Sequence, residues 1–156
     1  MENFYILDTC SFYSYCCRYL NIFTDKEISM QEDSLKKLND AFKNKNIKIV
    51  IPSVILIEIF DHYFNNDEFI NRFKYEVYSK ILSEEDNNKI AIIDVDTEVL
   101  ENLFNCYADD VAVDLHDKLI MATALKYKDK NTTLFTSDRR VRKIISKNNL
   151  PLKILS

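Results

Sequence analysis

Five short runs, FYIL (4–7), IKIVI (47–51), IAIIDV (90–95), TLFT (133–136) and LKIL (152–155), divide the chain into stretches of different periodicity. Each is dense in branched and aromatic apolar residues, the pattern of strands buried on both faces. Between them, apolar residues recur every three or four positions. That spacing predicts helices over Ser11–Leu20, Gln31–Lys43, Ser53 through VILIEIFDHYF, Asp67–Leu82, Thr97–Tyr107, residues 113 to 125, and Arg139–Lys147. Ser53 follows Pro52 and is expected to cap its helix, while EEDNN (84–88) reads as a loop. Alternation of this kind implies right-handed crossovers and an α/β fold, a mostly parallel sheet with helices on both faces. Function in such sheets gathers beyond the carboxyl ends of the strands, where strand order reverses.

Composition closes several routes. With 156 residues and no linker, repeat or shift in composition, a single domain over residues 1–156 is expected. No run approaches the roughly 18 apolar residues of a membrane span, and MENFYILD has no positively charged leader, so a cytoplasmic protein is expected. The chain has no glycine, which excludes every glycine-rich phosphate loop. Cys10, Cys16, Cys17 and Cys106 form no C-x-x-C, and only His62 and His116 are available beside them. A structural zinc site is therefore not expected, and the thiols should be reduced and mostly buried. A net charge of −4 argues against coating nucleic acid by bulk electrostatics but permits a local basic rim. Arg139, Arg140, Arg142 and Lys143 supply one.

The acids are the chemistry. Asp8 directly follows the first strand, Glu58 lies in the helix after the second, Asp117 in the first turns of the helix before the fourth, and Asp138 just after the fourth. If the strands are parallel, all four stand at or beyond one edge of the sheet. Each also has a plain structural reading. Asp8 and Asp138 can cap helices, and Asp114, three residues before Asp117, is taken as a cap. Glu58, surrounded by Ile and Leu on a face shared with Val54, Asp61 and His62, can instead pair with an arginine. Asp117 shares a stripe with Ile120, Met121 and Ala124, while Leu115, Leu119 and Ala122 line the opposite stripe. A helix apolar on nearly every side is expected to be buried, where an ionised carboxylate needs compensation.

Clustered carboxylates repel and hold their protons unless a cation compensates them. The natural compensation is a hard divalent ion, Mg²⁺ or Mn²⁺, with oxygen ligands. Such an ion is usually completed by substrate phosphate oxygens, which makes phosphodiester hydrolysis by an activated water the expected chemistry.

YILDTCSFY, IPSVILIEIF, DLHDKLIMATAL and LFTSDRRV, in this order and over residues 4 to about 145, resemble the PIN-domain family, and within it VapC-like toxin ribonucleases. The resemblance implies a five-stranded parallel sheet of order 3-2-1-4-5 and a metal-dependent endonuclease acting on RNA. It implies an antitoxin partner and a homodimer. By the same resemblance Asp8 and Asp117 are the principal metal ligands, Glu58 completes the site or holds a water, and Asp138 is an auxiliary acid. Thr9 and Ser137 occupy positions where the family often has a small hydroxyl residue beside the pocket, with Thr9 orienting a ligand. The chain departs from the family in its stretch from Asp25 to Lys45, its helix from Asp67 to Leu82, and its lack of glycine at turns.

The other class of reading is a non-catalytic RNA-binding or scaffold protein on the same fold. A receiver domain fits poorly, since it needs adjacent acids early in the chain. A haloacid-type phosphatase needs an acid two residues after Asp8, where Cys10 stands. Phe12, Tyr13, Tyr15 and Tyr19 have spacing suited to base stacking, but core packing or an exposed apolar interface is the favoured reading. His62 and His116 are taken as ordinary surface or structural residues.

Overall fold

The computed structural model describes residues 3–22, 30–63, 67–107 and 113–156. The side chains of Phe69 and Cys106, and the stretch 25–29, lie outside the described residues. Five strands, β1 (Asn3–Leu7), β2 (Ile47–Pro52), β3 (Ile90–Ile93), β4 (Asn131–Phe135) and β5 (Lys153–Leu155), form one all-parallel sheet of order β3-β2-β1-β4-β5. The expected strand order is the observed one. β1 is central: Phe4 sits opposite Lys48 on one side and Thr132 on the other, and Ile6 and Leu7 are fully buried. The chain steps outward from β1 to β2 to β3, then returns past β1 to β4 and β5. Right-handed crossovers place the helices of these two excursions on opposite faces. The reversal leaves a crevice between the carboxyl ends of β1 and β4.

The helices are α1 (Thr9–Leu20), α2 (Glu32–Lys43), α3 (Ser53–Tyr63), α4 (Asp67–Arg72), α5 (Ser79–Asp86), α6 (Thr97–Tyr107), α7 (Leu115–Lys126) and α8 (Arg139–Lys147). A π-helical segment, Phe73–Tyr78, joins α4 to α5, so the helix expected over 67–82 runs on to Asp86. The expected loop at 84–88 shrinks to Asn87 and Asn88. Phe73, Val77 and Ile81 still face the core, because the wider π turn keeps residues four apart on one side. The left-handed residues among those described are Asn21, Asn88 and Asn149. Asparagine tolerates this region better than other non-glycine residues, which is how a chain without glycine ends α1, α5 and α8.

α1 starts two residues earlier than its periodicity predicts, because Asp8 caps it. The Asp8 carboxylate accepts the Ser11 N–H at 2.7 Å, and the Asp8 N–H reaches Ser11 Oγ at 3.0 Å. α7 corrects another expectation. Ile120 through Leu125 are buried, but Leu115 is 60% exposed, so the helix is not buried all round. α7 carries the chain back from the carboxyl edge toward the start of β4. Its first turn therefore projects where the sheet ends.

Among the aromatics, Phe12 is buried and Tyr15 stacks on Phe42 at 4.2 Å, so these rings belong to the core. Cys16 and Cys17 are buried, as expected, whereas Cys10, in the first turn of α1, is exposed. No described helix is long and apolar enough to cross a membrane.

Lys89, just before β3, closes the end of α2. Its ammonium donates to the carbonyl of Ala41 at 2.8 Å and to those of Asn44 and Ile47. The Ala41 and Asn44 carbonyls also accept the Asn44 and Ile47 N–H groups, and the charge-assisted bonds from Lys89 are each worth more than neutral ones. Lys89→Met should lower unfolding stability by about 1–3 kcal/mol, read as a lower urea midpoint at unchanged slope. An unchanged midpoint would show that water replaces the ammonium at no cost.

Candidate functional site

Helices that follow parallel strands begin at the sheet's carboxyl edge, and α7 begins there too. The caps and first turns of α1, α3, α7 and α8 are thus delivered to one region. Asp8, between β1 and α1, is only 4% exposed. Its N–H also donates to the carbonyl of Phe135 at the end of β4, at 3.1 Å, which ties the two sides of the crevice together. Burial pushes the Asp8 carboxyl above its ordinary value, opposed by hydrogen bonds from Thr136 and Ser11.

Glu58 lies half-buried on α3, with Ile55 and Ile59 buried beside it. Its partner is the hydroxyl of Thr9, which donates to Oε2. The arginine considered for Glu58 is not what it meets. Asp117 lies half-buried in the first turn of α7. Its carboxyl is pushed up to about 7, first by burial and then by the negative charges of Asp114, Asp138, Asp8 and Glu58. Three segments distant in sequence, together with the neighbouring Asp114, therefore bring their acids within electrostatic reach of one side chain. Asp114 caps α7, accepting the Asp117 N–H at 3.0 Å, and its side chain is exposed.

Asp138 caps α8, accepting the Arg140 N–H at 2.6 Å. The Arg140 guanidinium closes on the same carboxylate, with Nη2 at 2.8 Å from Oδ2 and Nε at 3.3 Å from both oxygens. These bonds hold the Asp138 carboxyl below the usual range. The cap reading and the site reading of Asp8, Asp114 and Asp138 are thus compatible, because the caps themselves stand at the crevice.

The basic segment does not form the continuous rim its sequence suggests. Arg139 and Lys143 are exposed, Arg140 is engaged with Asp138, and Arg142 is half-buried. The Arg142 guanidinium turns toward Ser156 Oγ (3.3 Å) and the Ser137 carbonyl (3.5 Å). α8 packs Val141, Ile144 and Ile145 inward, so four nearly consecutive basic residues cannot share one outer face. His62 and His116 are exposed.

Two residues of the site escaped the sequence reading. Thr136, fully buried, bonds the Asp8 carboxylate and accepts the Asp138 N–H at 3.1 Å, linking the two acids. Ser11 Oγ lies 2.7 Å from Asp8 Oδ1 and 3.0 Å from the Phe135 carbonyl oxygen. Its signal was present, since Asp8 and Ser11 have capping-box spacing. Thr136 had none beyond its place before Ser137 and Asp138.

Among the described residues, no group of three or more His, Cys, Asp or Glu side chains stands in an arrangement that could hold a metal ion. The acids approach one another without forming a ready cage. One Asp8 oxygen is occupied by Ser11, and Asp138 by Arg140.

No protein-family model and no curated protein matches the chain. Among solved structures, a chain in the crystal structure of VapBC2 from Rickettsia felis, bound to a DNA fragment from their promoter, is similar to it. The two are 17% identical, with a TM-score of 0.57. The superposition covers 97% of this chain and 96% of that one, and so the fold that carries the acidic crevice is the fold of a VapBC2 chain from end to end.

Proposed function

We propose that this protein is a Mg²⁺- or Mn²⁺-dependent endoribonuclease of the PIN type, the toxin of a toxin–antitoxin pair, with Asp8, Glu58 and Asp117 as its central acids. The observation that supports the reading is that the charges of Asp114, Asp138, Asp8 and Glu58 all act on the half-buried Asp117 at the carboxyl edge of the sheet. A binding surface for a polyanion has no use for such a group unless a cation joins it.

The donor set of Asp8, Glu58 and Asp117 is all carboxylate oxygen, which fits a hard divalent ion. Mg²⁺ takes one or two protein carboxylates and completes its shell with water and phosphate oxygens, so a three-sided cage is not required. Asp8 and Asp117 would hold the ion, and Glu58 would complete its surroundings. When bound, the ion supplies an acidified water and offsets phosphate charge.

The chain's own residues supply the positioning. Ser11 and Thr136 hydrogen-bond the Asp8 carboxylate and hold it in place. Thr9 holds Glu58 by its hydroxyl, leaving Oε1 able to accept a proton from an incoming water. Asp117, at about 7, exchanges its proton near neutrality and is drawn into the ionised form by a cation.

The similarity to a VapBC2 chain supports an antitoxin partner, since that structure is a complex bound to promoter DNA. Ile57 on α3, Leu100 and Phe104 on α6, and Leu115 on α7 are exposed apolar side chains on the helices around the crevice. They supply surface for a homodimer or an antitoxin segment. Action on cellular RNA and residence in the cytoplasm belong to the same proposal.

The direct test incubates the purified protein with unstructured RNA and Mn²⁺, and sequences the new ends. Internal cuts that vanish in EDTA are expected. RNA left intact in every metal tried overturns the enzymatic reading and leaves the scaffold reading.

A further inference from the structure

Asp138 is an acid of the crevice whose charge is already paired with a cation. Its carboxylate receives four contacts from a single residue: the Arg140 backbone N–H, Nη2, and Nε to each oxygen. A carboxylate offers about four lone-pair positions, and these are the ones a metal would use. The guanidinium brings its own positive charge to the same place. An incoming divalent ion would have to displace both the fork and the cap.

The same bonds fix the guanidinium against Asp138. Arg140 carries its charge not only against Asp138 but also in the field of Asp117 and Asp114 on α7. Its side chain is 58% exposed, while that of Asp138 is only 21% exposed. The arginine is therefore the outer member of the pair. Asp138 engages the Nε and Nη2 edge, and Nη1 has no protein partner among the described residues. Guanidinium presents five N–H groups in a planar fork suited to phosphate oxygens, so the unused edge has a matching ligand in a phosphodiester. Arg139 and Lys143 are exposed without a comparable anchor, and Arg142 faces the other way.

We propose that Arg140 grips an RNA phosphate beside the crevice and that Asp138 is its positioning residue rather than a metal ligand. This rests on the nuclease reading for its substrate and departs from the expectation that Asp138 contributes to the metal. It also explains how an acidic crevice admits a polyanion: one cation is built into its mouth, oriented by an acid that no longer repels.

The test separates phosphate from metal. Binding of a fluorescent 2′-O-methyl RNA oligonucleotide, which resists cleavage, is followed by anisotropy over a range of salt. Mn²⁺ binding is followed by calorimetry without RNA. Arg140→Gln and Asp138→Asn should each weaken oligonucleotide binding about tenfold, and the double variant no further. The salt dependence should become shallower by about one phosphate contact. Arg140→Lys, which keeps charge without the fork, should fall between. All three single variants should bind Mn²⁺ within about twofold of wild type, whereas Asp117→Asn should not. Asparagine remains a good cap, so Asp138→Asn should keep its fold and melting temperature.

Loss of Mn²⁺ affinity in Asp138→Asn comparable to that in Asp117→Asn would make Asp138 a ligand and overturn the proposal. So would unchanged oligonucleotide binding by Arg140→Gln, or a wild type that does not bind the oligonucleotide. A wild type that binds the oligonucleotide through Arg140 but takes up no Mn²⁺ defeats the nuclease reading alone, and the phosphate role of Arg140 stands.

Discussion

Asp117→Asn should reduce RNA cleavage by about 1000-fold or more and, in the same protein, raise the melting temperature at pH 8. The first effect follows from the position of Asp117. It is the side chain on which the fields of Asp8, Glu58, Asp114 and Asp138 converge, and in the proposed nuclease it would be a metal ligand. Removing such a ligand forfeits several kcal/mol of charge stabilisation in phosphoryl chemistry, which converts to at least a thousandfold. The cap at the start of α7 is a backbone contact from the Asp117 N–H to Asp114 and survives the substitution.

The second effect is a matter of sign. In the folded protein the Asp117 carboxyl titrates at about 7, far above the value near 3.9 of an unfolded chain. Between those values the folded state holds a proton that the unfolded state has lost. Ionisation of Asp117 therefore destabilises the fold, progressively from about pH 4 to pH 7 and fully above it. Asparagine cannot ionise. Because the carboxyl is partly exposed, solvent screening leaves roughly 1–2 kcal/mol of the effect, or about 4 °C. Melting curves of wild type and variant should coincide at pH 4 and separate at pH 8. A variant less stable than wild type at pH 8, or one that still cuts, would remove Asp117 from the centre of the site. Asp8, also raised by burial, acts in the same direction.

Mn²⁺ should relieve the same strain. At 100 times its dissociation constant a ligand that binds only the folded state adds about 2.7 kcal/mol. For a protein of this size that corresponds to a rise in melting temperature of about 5–10 °C. The rise should be larger at pH 8 than at pH 6, because the ion competes with the proton on Asp117. It should disappear in Asp8→Asn and Asp117→Asn, and the test needs no RNA. A scaffold protein with the same fold should show no such rise. Equal shifts in wild type and both variants would mean that Mn²⁺ binds elsewhere.

Much of this site was legible because it is built from local rules. Asp8 and Ser11, Asp114 and Asp117, and Asp138 and Arg140 are pairs two or three residues apart, where a carboxylate can reach the orphan amides of a first helical turn. The five apolar runs become the five strands, with ends moved by a residue or two. Regularity failed where local patterns compete. EEDNN is polar enough for a loop, yet its first three residues complete α5, because the turn needs only Asn87 and the left-handed Asn88. Leu115 looks like a core residue by its periodicity, and its exposure follows only from α7 overrunning the sheet.

Periodicity and capping chemistry act over a few residues, so the strands, the helices and the acids at their junctions can be read from the chain alone. Partners distant in sequence are set by packing. Which hydroxyl meets Glu58, how Thr136 comes to join Asp8 and Asp138, and why Arg142 turns toward Ser156 depend on how helices seat against a sheet. The identity of a cap follows from its neighbours, but the company it keeps at the crevice depends on β1 and β4 lying side by side, and no local spacing encodes that contact.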